Sequence, residues 1–199
     1  MIDTVLFDLD GTLLPMDQDQ FVHAYMTLLA KKLAPHGYEP KHLIDAVWSG
    51  TRAMVQNIGD TTNEEAFWAD FCRIFGEGAR KDEPLFEEFY AADFGLARQV
   101  CGFDPAAAEI VAMLKEKGVR LALATNPLFP AIATRQRIRW AGLKPEDFAL
   151  ITTYEIPAAA SPIPITTGRC SKSWAGRRRN ASWWATMWTR TSSPPGRWG

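Results

Sequence analysis

The order of strand-like and helix-like segments constrains the fold of this chain more than any other feature. The mostly apolar run TVLFDL near the N-terminus predicts a buried strand that ends where Asp-Gly supplies a turn. No strand pattern interrupts residues 17–100. After Gly102 the pattern alternates as helix, strand, helix, strand. Because such alternation produces a parallel sheet with helical crossovers, we predict an α/β fold, a Rossmann-like doubly wound parallel sheet with an inserted helical unit.

The helical unit separates two parts of the predicted core. Periodic apolar residues predict four helices, which begin at Asp17, cover Lys41–Asn57, follow Asn63 as an N-cap, and span Pro84–Arg98. We therefore assign residues 1–16 and 102–155 to the core and residues 17–101 to the insertion.

Two carboxylates, Asp8 and Asp10, follow the first strand directly. Ligands of open parallel sheets bind beyond the carboxyl ends of the strands. A turn at Asp10-Gly11 can bring the second side chain back beside the first. Two adjacent carboxylates require either a cation between them or a raised pKa on one of them, and Mg²⁺ with oxygen ligands satisfies this. The alternative is a plain Asp-Gly turn with solvated acids, which the buried strand before it disfavours.

A second strand, residues 119–125, ends in Thr125 and is followed by Asn126. Its position predicts that these two residues lie at the same edge of the sheet as Asp8. Taken alone, a threonine at a strand end is more often a local cap than a ligand of a substrate.

Together these motifs resemble those of the haloacid dehalogenase-like hydrolases. The sequence F-D-L-D-G-T-L resembles the family's first motif, and LALA followed by Thr125 and Asn126 resembles its second. The helical stretch 17–101 resembles the family's α-helical cap of the first type. The resemblance covers about residues 1–155.

The resemblance implies a role for each matching residue. Asp8 would attack phosphorus and form an aspartyl-phosphate, and Asp10 would protonate the leaving oxygen and then activate water. Asp8 and the backbone carbonyl of Asp10 would ligate Mg²⁺. Thr125 and the Asn126 backbone would bind the phosphoryl oxygens. The acid at Asp10 favours phosphatase activity on a small phosphorylated metabolite over cleavage of a carbon–halogen bond, and a phosphomutase of the same family is the alternative.

Two further motifs of that family are missing. The chain has neither the lysine usually followed by proline nor the downstream acidic pair that completes the metal site, because no acid follows Glu155. Seven of the 22 basic residues and five of the eight tryptophans lie after that point. We therefore expect this form to have impaired activity, and a non-catalytic fragment with a basic tail is the alternative from another class.

We hypothesise that a frameshift explains this abrupt change in residues 156–199. Tryptophan and methionine have one codon each, so moving the frame of residues 183–189 back by one base gives x-Val-Gly-x-x-Val-Asp, which allows the missing Gly-Asn-Asp-Val-Asp. The same shift allows residues 160–170 to contain K-P-N-P-D-Y-Y-R-E-V. The two missing motifs are thus recovered in order by one shift between about residues 155 and 160.

Other classes of function find less support in the sequence. No apolar run is long enough for a membrane span, and the acidic start does not resemble a signal peptide. The cysteines Cys72, Cys101 and Cys170 form no C-x-x-C pair, which favours reduced thiols in a cytoplasmic protein. The aperiodic basic tail disfavours a nucleic-acid partner. The expected partner is a small phosphorylated substrate, and the sequence gives no oligomeric state.

Overall fold

The computed structural model describes residues 3–157, and these form a parallel sheet surrounded by helices. The strands are β1 (Thr4–Phe7), β2 (Arg120–Leu123) and β3 (Leu150–Ile151), in the order β1-β2-β3. Both neighbouring pairs are parallel, with Phe7 opposite Leu123 and Leu123 opposite Ile151. The predicted α/β fold is therefore confirmed. Apart from Ile156 and Pro157, the predicted frameshifted tail, 156–199, lies outside the described residues.

Helices form all of the regular structure between β1 and β2 in this part of the chain. The α-helices are α1 (Gln18–Leu33), α2 (Pro40–Gln56), α3 (Asn63–Phe75), α4 (Glu83–Ala91), α5 (Pro105–Glu116) and α6 (Ala131–Trp140). Short 3₁₀ segments cover Ala34–His36, Glu77–Asp82, Asp93–Val100 and Pro145–Asp147. The division into a core and a cap domain at the predicted boundaries remains a proposal.

Two of the predicted helices differ in detail from the observed ones. Thr62, not Asn63, caps α3, because its hydroxyl accepts from the Glu65 backbone N–H while the Glu65 carboxylate accepts from the Thr62 N–H. The helix predicted over Pro84–Arg98 ends at Ala91, and a 3₁₀ segment continues to Val100.

An aromatic cluster forms the interior of the helical insertion. Phe67, Trp68 and Phe71 on α3 pack against Phe86 on α4, with ring centres 5.1–6.5 Å apart. These buried aromatic side chains supply apolar contact between α3 and α4.

The two connections between the insertion and the sheet run side by side. Gly102 donates a backbone hydrogen bond of 2.7 Å to the carbonyl of Pro15, and Met16 and Cys101 form an antiparallel bridge. A Cβ on Gly102 would lie 3.0 Å from Pro15 Cβ, so this close approach favours glycine.

Candidate active site

The carboxyl ends of β1 and β2 lie next to each other. The Ala124 N–H donates to the Phe7 carbonyl over 2.7 Å, which continues the β1–β2 pairing by one residue. Asp8 directly follows Phe7, and Thr125 directly follows Ala124. The predicted motif residues therefore leave the sheet at the same edge, where ligands bind in open α/β sheets.

A tight turn follows Asp8 and returns Asp10 towards it. Leu14 N–H donates to the Leu9 carbonyl and Gly11 N–H to the Leu14 carbonyl, each over 2.9 Å. Gly11 has a φ of 76°, in the left-handed region that glycine adopts without a steric penalty. The charge of Asp10 acts on the Asp8 carboxylate, so the two groups interact electrostatically.

The Asp8 side chain is exposed, yet surrounding protein atoms desolvate its carboxylate in part. This desolvation raises the pKa of Asp8, and the charge of Asp10 raises it further. The Leu9 backbone N–H, the Thr12 hydroxyl and the charge of Arg137 act in the opposite direction. The Thr12 hydroxyl donates to Asp8 Oδ2 over 3.1 Å. The site thus presents an accessible carboxylate whose ionised form is disfavoured by its surroundings.

The carboxylate of Asp10 forms an ion pair with Arg137 of α6. The guanidinium Nη1 donates to Asp10 Oδ2, while Asp10 Oδ1 is buried and has no hydrogen-bond partner among the described residues. The side chains of Arg137 and Asp10 are 1% and 11% exposed. Arg137 therefore fixes one oxygen of Asp10, while the other is buried and has no hydrogen-bond partner among the described residues.

Phe129 and Thr134 hold the Arg137 guanidinium in place. Its central carbon lies 4.3 Å from the centre of the Phe129 ring, and Nη2 donates to Thr134 Oγ1 over 3.3 Å. The Phe129 ring also packs against Tyr25 of α1, whose hydroxyl lies 3.0 Å from that of Tyr90. The insertion thus contributes to the surroundings of the ion pair.

Thr125 and Asn126 follow β2 in a buried segment. Thr125 is 3% exposed, and its main-chain oxygen accepts a hydrogen bond from the Thr152 hydroxyl at the end of β3. The Asn126 carbonyl accepts from Leu128 N–H over 2.8 Å, and the residue is half-buried. Their role in binding phosphate remains a prediction.

The donor chemistry of the site fits a divalent metal, but the number of donors is small. The buried Oδ1 of Asp10 has no hydrogen-bond partner among the described residues, so the site contains an unsatisfied oxygen. The carboxylate of Asp8 and the carbonyl of Asp10 are hard oxygen donors, of the kind that binds Mg²⁺ together with water and substrate phosphate. No group of three or more histidine, cysteine or acidic side chains within residues 3–157 could hold a metal.

Sequence reasoning missed Arg137, although a signal for it existed. On α6, the buried residues Ala133, Thr134 and Ile138 define an inward face, and Arg137 falls on that face. A charged residue at an inward helical position requires a partner, since unpaired buried charges are rare. That pattern indicates a buried ion pair, but it does not identify Asp10 as the partner.

A family model described as haloacid dehalogenase-like hydrolase matches residues 2–164 of the chain. That range includes Asp8, Asp10, Thr125 and Asn126, and it covers most of the 199 residues. Among curated proteins, none matches the chain. No helix within residues 3–157 has the length and apolar character needed to cross a bilayer.

Several solved structures are similar to the chain at low sequence identity. They include a candidate phosphatase from Clostridium difficile (19% identity, TM-score 0.39, covering 77% of this chain and 61% of that one). A second is a predicted phosphoglycolate phosphatase from Haemophilus somnus, with 16% identity and a TM-score of 0.37 over 80% of this chain and 64% of that one. A third is CbbY from Rhodobacter sphaeroides in complex with phosphate, with 17% identity and a TM-score of 0.37 over 77% of this chain and 64% of that one. The chain spans less than two thirds of the length of each.

Proposed function

The chain belongs to the haloacid dehalogenase-like hydrolases, and from this premise we propose that it is a Mg²⁺-dependent phosphomonoesterase that acts on a small phosphorylated metabolite. The observation that carries the proposal is the pairing of an accessible Asp8 with Asp10 at the carboxyl end of β1, beside the end of β2. Two interacting carboxylates in unlike environments can divide the roles of nucleophile and acid.

Asp8 is the proposed nucleophile. Its carboxylate is exposed, and the hydrogen bond from Thr12 fixes Oδ2, which leaves Oδ1 to attack phosphorus. A bond forms between this oxygen and phosphorus while the bond from phosphorus to the leaving oxygen breaks, which gives an aspartyl-phosphate on Asp8. Thr125 and the backbone of Asn126 are proposed to bind the phosphoryl oxygens at the neighbouring strand end.

Asp10 is the proposed acid and base. It gives a proton to the leaving oxygen in the first step and takes one from the water that hydrolyses the aspartyl-phosphate in the second. Asp8 and the Asp10 carbonyl would hold Mg²⁺, which when bound offsets the negative charge between the nucleophile and the phosphate.

This form of the chain is proposed to be impaired, because its sequence contains no acid after Glu155 that could complete the metal site. Restoring the reading frame would supply both missing motifs, which the codons of residues 160–170 and 183–189 allow. We expect phosphate release from p-nitrophenyl phosphate with Mg²⁺ to be about 100-fold or more faster for the frame-restored chain, since single charge-stabilising groups contribute on that scale.

The assay compares both chains with and without the substitution Asp8→Asn. Loss of activity in Asp8→Asn, together with a large difference between the two frames, supports the proposal. Equal rates that do not depend on Asp8 would reject it. Sequencing the DNA around codons 150–165 tests the frameshift by itself.

A further inference from the structure

We propose that Arg137 is a positioning residue that orients the Asp10 carboxylate for proton transfer to the leaving group. The inference rests on the proposed function, because it requires Asp10 to act as the acid. It adds a residue that lies 127 positions away in sequence and on a different element from the motif it serves.

Arg137 is buried on the inward face of α6. Its side chain is 1% exposed on a helix whose inward neighbours include Ala133 and Ile138. A buried ion pair often stabilises a fold no more than apolar side chains of similar volume would. Packing alone therefore gives no reason for an arginine at this position, whereas orientation of a carboxylate does.

The ion pair holds the Asp10 carboxylate through one of its two oxygens. Arg137 occupies Oδ2 of Asp10, and the buried Oδ1 has no partner among the described residues. The ring of Phe129 and the hydroxyl of Thr134 fix the guanidinium on its other sides. The carboxylate is thus held through one oxygen, which fixes the direction of the other.

The chemical step follows from this arrangement. As the bond between Asp8 and phosphorus forms and the bond from phosphorus to the leaving oxygen breaks, Asp10 in its acid role gives a proton to that oxygen. Asp10 then carries a negative charge next to Arg137. A leaving group that is stable as an anion does not need this proton, so Arg137 matters most for poor leaving groups.

The test compares two substrates in the presence of Mg²⁺. Phenyl phosphate has a poor leaving group that requires protonation, and 2,4-dinitrophenyl phosphate has a good one that does not. Phenol release is measured in a single turnover, which isolates the first step. The full 199-residue chain and its frame-restored form are assayed in parallel, and the Asp8→Asn variant of each serves as the control for Asp8-independent release.

Three substitutions on α6 are compared. Arg137→Met retains most of the side-chain length and the contact with Phe129 but removes the charge. Arg137→Lys retains the charge with a single donor group, and it provides a second variant if Arg137→Met fails to fold. Arg139→Met is the matched control, because Arg139 is an exposed basic residue of the same helix.

We expect Arg137→Met to slow phenol release from phenyl phosphate about 100-fold, the effect of misplacing a catalytic group by about 1 Å. The rate with 2,4-dinitrophenyl phosphate should fall less than about tenfold. Arg137→Lys should show an intermediate difference between the substrates, and Arg139→Met none.

The outcomes separate the two proposals. An equal loss with both substrates in Arg137→Met and Arg137→Lys would show a purely structural role and overturn this inference alone. Asp8-dependent turnover that is insensitive to Arg137 would do the same. If neither chain releases phosphate in an Asp8-dependent manner, the proposed function fails, and this inference fails with it.

Discussion

The side-chain amide of Asn63 donates a hydrogen bond of 2.9 Å to the main-chain oxygen of Pro127. Asn63 is fully buried at the start of α3, and Pro127 follows Thr125 and Asn126 in the loop after β2. A second hydrogen bond, of 3.0 Å, runs from Asn57 Nδ2 to Asn63 Oδ1. One side chain thus connects the helical insertion to the segment that carries the proposed phosphate-binding residues.

Asn63→Ala should therefore destabilise the fold. The substitution leaves the buried Pro127 carbonyl without its side-chain donor, which costs about 1–3 kcal/mol in the free energy of unfolding, while the Asn57 amide keeps its hydrogen bond to the Thr61 carbonyl. Equilibrium unfolding in urea measures this value. Gln56→Ala, at an exposed position of α2, is the control and should change stability by less than about 0.5 kcal/mol. Equal stabilities of the two variants would contradict the proposed connection.

Removing the proposed nucleophile should stabilise the protein at neutral pH. Desolvation and the charge of Asp10 raise the pKa of Asp8 in the folded state above the unfolded value. The folded state consequently binds the Asp8 proton more tightly, and ionising Asp8 as the pH rises through the two pKa values reduces stability. Asp8→Asn avoids that loss while Asn Oδ1 can still accept from Thr12.

Urea unfolding of Asp8→Asn at several pH values tests whether the substitution raises or lowers the free energy of unfolding. We expect a higher free energy of unfolding than wild type at pH 7, with the difference shrinking towards pH 3, where Asp8 becomes protonated in both states. Asp45→Asn, at an exposed position of α2, provides the comparison. A destabilised Asp8→Asn at pH 7 would contradict the electrostatic description of the site.

The reactivity of the Cys101 thiol should depend on the charges of Asp10 and Arg137. Burial raises the pKa of Cys101 to about 11, the charge of Asp10 adds to the rise, and the charge of Arg137 opposes it. Because only the thiolate reacts, iodoacetamide should alkylate Cys101 at pH 8 about 100-fold more slowly than an unperturbed thiol. Asp10→Asn should accelerate the reaction, and Arg137→Met should slow it further.

Peptide mass spectrometry follows the alkylation of Cys101 against glutathione as the reference thiol. Asp19→Asn, an exposed acid in the first turn of α1, should leave the rate unchanged. Alkylation of Cys101 at the rate of glutathione would show that the thiol is not perturbed.

The strand ends illustrate what could be predicted from sequence. A short apolar run that ends in Asp-Gly and a second run that ends in Thr125 are local patterns, and alternation with helices requires the two strands to be parallel. Their carboxyl ends therefore had to share one edge, and the structure pairs Phe7 with Leu123 there. The predicted fold needed no information beyond these patterns.

Long-range partners could not be predicted in the same way. Asn63 has the local character of an N-cap, yet its side chain reaches Pro127, 64 residues away, and Thr62 takes the capping position. Arg137 lies 127 residues from Asp10. Side-chain periodicity reveals which face of a helix is buried, but it does not reveal what lies against that face.

Gly50 of α2 shows how such a contact can reverse the usual effect of a substitution. Alanine in place of a mid-helix glycine normally stabilises a helix by about 0.5–1 kcal/mol. A Cβ at Gly50, however, would lie 2.5 Å from Cδ2 of Phe67, a buried side chain of α3. Phe67 also packs against Trp68 and Phe71, so it cannot move away freely.

We therefore expect Gly50→Ala to destabilise the fold by about 1–3 kcal/mol, because overpacking outweighs the gain in helix propensity. Gly78→Ala is the matched control, since a Cβ there meets no atom within 4 Å. Urea unfolding of both variants, followed by circular dichroism, measures the difference. A Gly50→Ala chain as stable as wild type would show that α2 and α3 separate at little cost, and that the close contact between them does not limit the residue at position 50.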